Sequence, residues 1–268
     1  MLNILVTVKV VPKPEEVKVD QETKTLDRGS ARSEINPADM AVIETALKLK
    51  DKYGANVTVL SMGPPFADIF LKVAMAMGCD NGVLLTDRVL AGADTLATSY
   101  ALAKAIDAIG DQDLVICGEE SSDGATGQVP QGIAEWLDFS HVTYATALDL
   151  DEENNKLEAV RSLSNVTEKV RVPLPAVAAI TTGAHEPRFM DFERRQELEN
   201  GNTVKMLSAA DIKVDPERIG NAGSPTIVTE LKQLKTSERK NIRIEGKTAA
   251  EKAERIWEYL EKEGILKN

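Results

Sequence analysis

The stretch LVICGEESSDGATGQVPQGIAEWL, residues 114–137, decides the fold class of this chain. Its first four residues are apolar and predict a buried strand, which ends at Gly118 in a loop of small and acidic residues. Beyond the loop, apolar residues recur at the spacing of one helix face: Val129, Ile133, Trp136 and Leu137. A strand, a loop and a helix in this order are typical of a parallel α/β sheet.

The start of this helix is a candidate anion site. Pro130 is tolerated in a first helical turn, so the helix is predicted to begin between Thr126 and Gln128. The backbone N–H groups of residues 126–129 would then face the loop, where Gly127 lets a ligand approach the backbone closely. An ordinary strand-to-helix turn explains the same residues equally well.

Composition and charge exclude several classes of protein. The 268 residues contain 43 acidic and 32 basic side chains, and the net charge of -11 disfavours nucleic acid or an anionic membrane as the main partner. Hydrophobic residues make up 43% of the chain, as in a globular protein that buries a full core. A basic cluster at residues 232–243 is flanked by acidic residues and is interpreted as a solvated surface.

No catalytic or metal centre is evident in the sequence. Cys79, Cys117, His141 and His185 are isolated, so neither metal-ligand spacing nor a nucleophile and base pair can be assembled. Two separate cysteines suit a reducing compartment. Because the first residues resemble a strand and no run of about 18 apolar residues occurs, we expect a cytoplasmic protein without a membrane span.

Strands and helices alternate through the first half of the chain. Strands are predicted at residues 2–8, 57–61, 83–86 and 114–117, and the helices that follow them predict a mostly parallel sheet covered on both faces. Residues 12–33 are polar, with hairpin character around residues 17–26, and form an excursion from this sheet. The second helix is predicted to bury a stripe of Ile69, Phe70, Val73 and Met77.

Two further features lie at the ligand edge of such a sheet. Lys9 directly follows the first strand, where open α/β sheets bind their ligands, although a surface charge explains it as well. Asn36 is predicted to cap the first helix, which Pro37 opens.

Thr95 and Thr98 form a second candidate phosphate site. They are three residues apart, so both hydroxyl groups lie on one side of the first turn of a helix. Asp94 favours a plain N-cap instead, because its carboxylate would occupy the positive end of that helix. Two such helix starts lie along one edge of a parallel sheet, which strengthens the case for both.

The second half of the chain changes character. Residues 141–150, 157–163 and 167–172 are predicted as antiparallel strands, and residues 176–181 return to the apolar pattern of the sheet. The segment 183–205 lacks core periodicity and leaves Phe189, Met190 and Phe192 among charged residues. This indicates a partner-binding segment or a locally packed surface helix.

The last predicted helix, residues 249–263, has an apolar face that includes Trp257. Such a face must be buried, and another subunit is a natural place for it. We therefore expect an α/β domain over residues 1–220, which contains the segment 183–205, and a partner-binding arm over residues 221–268.

Several short motifs together resemble the β subunit of electron transfer flavoprotein over nearly the whole chain. They are VTVK at residues 6–9, INPAD at 35–39, VLSMGP at 59–64, AMAMGCD at 74–80, DGATGQ at 123–128 and EPR at 186–188. Each motif is weak alone, but their order and spacing are specific. The resemblance implies a three-layer αβα fold of the nucleotide-binding type, similar to the adenine nucleotide alpha hydrolases, and an electron carrier paired with an α subunit.

The resemblance also implies a cofactor site that agrees with the two candidate phosphate sites. The implied residues are Thr7, Lys9, Asn36, Pro37, Ala38, Asp39, Met62, Cys117, Gly118, Asp123, Gly124, Ala125, Thr126, Gly127, Gln128, Val129 and Pro130, with Asp94, Thr95 and Thr98 added by the electron-bifurcating branch. In the ordinary branch the ligand is structural AMP, whereas in the bifurcating branch it is a second FAD. Two phosphate sites are needed only for the longer ligand.

In bifurcating relatives the flavin takes a hydride from NADH and sends one electron towards the α-subunit FAD and the other to ferredoxin or flavodoxin. The resemblance implies that Glu186, Pro187 and Arg188, with Phe189 and Phe192, recognise a partner flavin dehydrogenase. After Arg188 the residues differ from those of many relatives, which suggests one dedicated dehydrogenase.

The sequence supports two other classes of function less well. A nucleotide-dependent enzyme on a similar sheet lacks support, since there is no GxxxxGK[ST] loop. A purely structural subunit would bind no nucleotide.

Overall fold

The computed structural model describes residues 1–13, 18–19, 26–27, 32–201, 203–227 and 241–266. It divides into two compact units, Met1–Leu231 and Lys232–Asn268. Most of the basic cluster predicted at residues 232–243 lies outside the described residues. Within the described ranges, no helix is both long and apolar enough to cross a membrane.

The strands and helices follow the predicted alternation. The strands are β1 (Asn3–Thr7), β2 (Val10–Pro12), β3 (Lys18–Val19), β4 (Leu26–Asp27), β5 (Ser33–Ile35), β6 (Asn56–Met62), β7 (Asn81–Leu85), β8 (Leu114–Gly118), β9 (Ser140–Asp151), β10 (Lys156–Leu163), β11 (Val166–Pro173), β12 (Ala176–Ile180) and β13 (Val204–Leu207). The helices are α1 (Pro37–Tyr53), α2 (Asp68–Met77), α3 (Thr95–Ile109), α4 (Val129–Leu137), α5 (Phe192–Glu199) and α6 (Ala249–Lys262).

One large sheet organises the first unit. Among the described residues nine strands pair in the order β11-β10-β9-β12-β8-β1-β6-β7-β13. The pairs from β9 across to β13 are parallel, and β10 and β11 continue the sheet as antiparallel strands. The predicted three-layer α/β fold with a mostly parallel sheet is therefore confirmed.

Two apolar cores lie on opposite faces of this sheet. On one face α1 and α2 pack against residues such as Ile4, Val59 and Ile116. On the other face α3 and α4 pack against residues such as Leu5 and Val115. Successive residues of a buried strand point to opposite faces, so a near-continuous apolar run is what a sheet covered on both sides requires.

The structure corrects two predictions about the elements. The segment 183–205 is expected to lack core periodicity, but its last two residues begin the edge strand β13, in which Val204 and Leu207 are buried. Only the two ends of this four-residue strand are buried, so its sequence shows no alternating pattern. In α2 the buried residues include Leu71 and Ala74, whereas Ile69 is 50% exposed.

The chain between β1 and α1 leaves the sheet as predicted. Strands β2 and β5 pair antiparallel, and so do the short strands β3 and β4 within the region of predicted hairpin character. Residues 14–17, 20–25 and 28–31 lie outside the described residues. The returning β5 delivers Asn36 and the start of α1 to the carboxyl edge of the sheet, because the N–H of Asn36 donates to the carbonyl of Lys9 at 2.8 Å.

The second unit contains α6. The hydroxyl of Thr248 accepts a hydrogen bond from the N–H of Glu251 at 3.2 Å, which caps the start of the helix. Ile256 is 44% exposed and Trp257 is 56% exposed.

Candidate functional site

The predicted site residues gather at the carboxyl edge of the sheet. β1 ends at Thr7, β6 at Met62 and β8 at Gly118, and these three strands are neighbours in the sheet. The Thr7 side chain hydrogen-bonds the thiol of Cys117. Burial raises the pKa of Cys117 to about 12, so this thiol stays neutral at ordinary pH.

Asn36 ties the start of α1 to the loop after β8. Its Nδ2 donates to the carbonyl of Glu120 at 2.9 Å and to Oδ1 of Asp39 at 3.1 Å. Its Oδ1 accepts the N–H of Ser122 at 3.0 Å. Asn36 is the residue before α1, as predicted, but its side chain does not cap the helix, because the loop residues and Asp39 engage it.

Asp39 is a buried carboxylate beneath this loop, only 4% exposed. Its Oδ2 accepts the backbone N–H of Lys9 at 2.7 Å. A Cβ at Gly118 would collide with its Oδ1, so the end of β8 approaches the carboxylate as only glycine allows. Burial raises the pKa of Asp39 to about 7, against the opposing effects of the Lys9 N–H, Asn36 and the Lys9 charge.

The ammonium group of Lys9 lies over the same loop. Its Nζ contacts Oδ1 of Asp123 at 2.5 Å and Oγ of Ser121 at 3.1 Å. The Lys9 side chain is 47% exposed, so the ammonium is accessible beside the loop. Lys9 thus brings positive charge to a loop that carries several acidic residues. A bound anion could share this ammonium group with Asp123.

The loop enters α4 through left-handed backbone conformations. Ala125 has φ 47° and Gly127 has φ 61°, a region that favours glycine. α4 begins at Val129 with Gln128 as its N-cap residue, one residue later than the predicted start, and Pro130 lies in the first turn as expected. Over the described ranges, no acceptor pairs with the N–H groups of residues 126–128.

The two candidate phosphate sites adjoin each other. Oγ1 of Thr95, the first residue of α3, donates to Oε1 of Gln128 at 2.9 Å. The two helices pack closely because Gly132 of α4 faces Ser99 of α3, where a Cβ would lie 2.5 Å from the serine Oγ. Nε1 of Trp136 also donates to that Oγ at 3.2 Å. The start of α3 and the loop before α4 therefore form one continuous surface.

Asp94 serves as the N-cap of α3. Its Oδ1 accepts the N–H groups of Leu96 and Ala97 at 3.0 and 3.1 Å. Its Oδ2 accepts the N–H and the hydroxyl of Thr226 at 3.1 and 2.8 Å. Burial opposes the charge, but these hydrogen bonds lower the pKa of Asp94 below its ordinary value. The carboxylate thus occupies the N–H groups at the start of α3, so a ligand there would have to use side-chain donors instead.

The segment that contains residues 186–192 is held on the α1 and α2 face of the sheet. Arg188 makes three hydrogen bonds to the carboxylate of Glu44, from its N–H, Nε and Nη2, at 2.9 to 3.1 Å. Its Nη2 also contacts Asp51 at 2.8 Å. Phe189 follows directly and is 99% exposed, and Phe192 is 67% exposed. The backbone is fixed while both rings point to solvent.

Comparison with known proteins identifies the family. A family model described as the electron transfer flavoprotein domain matches residues 23–212. The electron transfer flavoprotein subunit beta of Thermoanaerobacterium thermosaccharolyticum is 42% identical over 227 residues, covering 85% of this chain and 86% of that protein. The subunit of the same name from Clostridium acetobutylicum is 40% identical over 245 residues, 91% of each chain. The chain belongs to the electron transfer flavoprotein family.

A third relative comes from a larger assembly. The caffeyl-CoA reductase-Etf complex subunit CarD of Acetobacterium woodii is 37% identical over 228 residues, covering 85% of this chain and 86% of that protein. As a member of the electron transfer flavoprotein β-subunit group, the chain functions in electron transfer. The resemblance expected from the short motifs is confirmed.

The structure joins some of the residues expected for an electron transfer flavoprotein β subunit and leaves others apart. Lys9, Asn36, Asp39 and Asp123 form one hydrogen-bonded group. Among the described residues, no hydrogen bond links Met62 or the Thr98 side chain to this group. Trp257 belongs to the second unit. No described group of three or more His, Cys, Asp and Glu side chains could hold a metal ion.

Sequence reasoning missed two residues that organise these surfaces. Glu44 is 5% exposed and binds Arg188, and its position among buried apolar residues of α1 was the available signal. Burial opposes the charge of Glu44, but the Arg188 hydrogen bonds lower its pKa below the ordinary value. Ser61, next to Met62, is buried, and its Oγ has no hydrogen-bond partner among the described residues. A lone serine in an apolar strand gives no local indication of this.

Proposed function

We propose that this chain binds FAD at the carboxyl edge of its sheet and works with an α subunit in flavin-based electron bifurcation. The observation that carries the proposal is the hydrogen bond of 2.9 Å between Thr95 and Gln128. It makes the start of α3 and the loop before α4 adjacent. Two adjacent helix starts suit the two phosphates of FAD, whereas AMP needs only one.

The residues present fit a diphosphate. On the α4 side, the N–H groups of residues 126–128 face the loop, and Gly127 lets an anion approach the backbone. On the α3 side, the N–H groups of Leu96 and Ala97 are taken by Asp94. The hydroxyls of Thr95 and Thr98 are therefore the donors proposed for the second phosphate, and Thr95 would exchange its hydrogen bond to Gln128 for one to the phosphate.

Charge is compensated locally. Lys9 is paired with Asp123 and Ser121. A bound phosphate would share the Lys9 ammonium with Asp123, which offsets part of the repulsion expected in a chain of net charge -11. The Glu120 carbonyl and the Ser122 N–H of the loop are held by Asn36, which reduces the reorganisation needed on binding.

The residues at this edge would hold FAD, and the flavin would supply the redox chemistry: acceptance of a hydride and release of electrons one at a time. The chain's own residues bind and orient the cofactor, and none is proposed as a catalytic acid or base. The CarD relative, named as a subunit of a caffeyl-CoA reductase-Etf complex, supports a place for this chain in a complex with a reductase. Ferredoxin or flavodoxin is the proposed low-potential acceptor.

Two surfaces are proposed to bind protein partners. Glu186, Pro187, Arg188, Phe189 and Phe192 would contact a flavin dehydrogenase, since Arg188 is fixed on Glu44 while the rings are exposed. The apolar face of α6 around Trp257 would contact the α subunit.

Counting flavins tests the proposal. Acid precipitation of the purified heterodimer should release two FAD molecules per αβ pair. Release of one FAD together with one AMP would instead establish the ordinary carrier with a structural nucleotide. A heterodimer that releases one FAD and no other nucleotide would contradict a nucleotide site in this chain.

A further inference from the structure

We propose that Asp39 is a positioning residue of the nucleotide site, whose ionised carboxylate orients the Asn36 amide and through it holds the loop at residues 119–123. The inference deepens, and rests on, the proposed nucleotide-binding function. Asp39 itself is 4% exposed and lies beneath the loop, so its role is exerted through Asn36 and Lys9.

The orientation of the Asn36 amide is fixed by three hydrogen bonds, two that its NH₂ group donates and one that its oxygen accepts. Its Nδ2 donates to Oδ1 of Asp39 at 3.1 Å and to the Glu120 carbonyl at 2.9 Å, while its Oδ1 accepts the Ser122 N–H at 3.0 Å. Only this orientation satisfies all three. If the amide were reversed, its NH₂ group would face the Ser122 N–H and its oxygen would face the Glu120 carbonyl.

The charge of Asp39 selects this orientation. An ionised carboxylate only accepts hydrogen bonds, and here it accepts one from Asn36 and one from the Lys9 N–H at 2.7 Å. A protonated Asp39 carries a hydroxyl donor that needs an acceptor. At the end of β8, Gly118 packs against Oδ1 of Asp39, and the Asn36 amide is the polar side chain beside that oxygen. Protonation therefore favours reversal of the Asn36 amide, which releases both loop contacts.

The charged and titratable groups around Asp39 are few. From β1, Lys9 lowers the pKa of Asp39 through its charge, and its ammonium is itself paired with Asp123 of the loop. From β8, Cys117 is coupled electrostatically to Asp39, and its own pKa is about 12. From the residue before α1, Asn36 supplies a neutral amide. Burial dominates and raises the pKa of Asp39 to about 7. Its ionisation therefore changes within the ordinary working range of pH.

Nucleotide affinity should then fall as Asp39 is protonated. Only the fraction of chains with an ionised Asp39 has the organised loop, and the apparent dissociation constant rises as that fraction falls. If the protonated form binds ADP about tenfold more weakly, the dissociation constant should rise about fivefold between about pH 8 and pH 6. Asp39→Asn replaces the carboxylate by a group that cannot ionise. Its affinity for ADP at pH 8 should be about tenfold lower than that of the wild type.

The test is calorimetric titration of ADP into the full chain, freed of nucleotide, for wild type and Asp39→Asn from pH 6 to pH 8. The ionisation of ADP affects both proteins alike, so the ratio of their dissociation constants isolates Asp39. We expect a ratio of about ten at pH 8 that falls to about two at pH 6. Asp113→Asn is the matched control, since Asp113 also accepts a backbone N–H, from Asn3 at 2.7 Å, at the opposite edge of the sheet.

The outcomes separate this inference from the proposed function. If the ratio stays the same at every pH, Asp39 has only a structural role and the inference is wrong, while the nucleotide site stands. If the wild type binds no ADP at any pH, the proposed function itself fails. A second measurement needs no variant: the side-chain amide signals of Asn36 in ¹⁵N-labelled wild type should shift with a midpoint near pH 7. Signals that do not change with pH would overturn the inference.

Discussion

At the scale of single residues, Asp39 shows how a site can oppose the stability of its fold. The neutral form is favoured by burial, yet the organised loop needs the ionised form. A raised pKa of this size disfavours the charged form by on the order of 4 kcal/mol. Such cost at a functional site must be offset by the rest of the fold.

This opposition predicts a specific dependence of stability on pH. Because the folded-state pKa of Asp39 is about 7 and the ordinary value is 3.8, folding takes up a proton between these values. The stabilising contribution is complete below about pH 4 and is lost as the pH rises through 7. Between about pH 5 and pH 8 the ligand-free wild type should lose about 2 to 3 kcal/mol more than Asp39→Asn. Urea unfolding at several pH values measures this, and parallel curves for the two proteins would contradict it.

A second prediction concerns the hydroxyls of α3. Thr95→Val with Thr98→Val should weaken FAD retention by this chain, because each lost contact to a phosphate costs on the order of 1 to 3 kcal/mol. The α-subunit flavin should remain in place. Dialysis of the heterodimer followed by counting of bound FAD measures both sites. Thr146→Val on β9 is a matched control, since the Thr146 hydroxyl donates to the Val160 carbonyl on β10. Unchanged retention in the double variant would exclude the second phosphate site.

At the scale of elements, the contact between α3 and α4 sets the distance between the two phosphate sites. Gly132 and Ser99 meet where the helices approach, and the edge-to-face rings of Tyr100 and Trp136 lie 5.2 Å apart beside them. The close approach at Gly132 allows Thr95 and Gln128 to meet.

Gly132→Ala should therefore be destabilising. In an open helix this change stabilises by about 0.5 to 1 kcal/mol. Here the added Cβ would lie 2.5 Å from Ser99 Oγ and 2.7 Å from its Cβ, so we expect a loss of about 1 to 3 kcal/mol and weaker FAD retention. A double-mutant cycle with Ser99→Gly should recover part of the loss, since it restores the space. Additive effects of the two changes would show that the contact between Gly132 and Ser99 does not limit how closely α3 and α4 approach.

At the scale of the whole molecule, the segment proposed to bind a partner, residues 186–192, is held by contacts with two helices that cover one face of the sheet. Arg188 binds Glu44 of α1, while the N–H of Asp191 donates to the Ala76 carbonyl of α2 at 2.9 Å. Arg194 Nη2 donates to the Cys79 carbonyl at 2.7 Å. A rigid backbone that displays Phe189 reduces the entropy lost when a partner binds.

Phe189→Ala tests this surface. The free energy of unfolding should change by less than about 0.5 kcal/mol, because the ring is 99% exposed. The rate of electron transfer to the dedicated dehydrogenase should fall several-fold, as for an interface anchor worth more than about 1 kcal/mol. Val166→Ala, an exposed apolar residue on β11, is the control. Equal rates of the wild type with every member of a panel of acyl-CoA dehydrogenases would argue against a dedicated partner.

Removal of residues 248–268 tests the proposed contact of α6 with the α subunit. The truncated chain should bind the α subunit more weakly and dissociate from it at higher protein concentrations than the full chain, since the face around Trp257 is lost. Analytical ultracentrifugation of the two heterodimers measures this. An unchanged dissociation constant would show that the α subunit binds elsewhere.

The sequence by itself determined the parallel sheet, the helices on both faces and the edge at which the site residues gather. Hydrophobic periodicity and helix-start residues act over a few positions, so they can be read locally. The family motifs at residues 35–39 and 123–128 also indicated which loops form the predicted cofactor site.

Only the tertiary structure decided how those residues act on one another. Asn36 holds Glu120 across 84 positions, and Glu44 binds Arg188 across 144. The contact of Gly132 with Ser99 and the edge strand β13 likewise depend on which elements become neighbours. Periodicity shows which face of an element is buried, but the partner of a buried polar group is set by packing between distant parts of the chain.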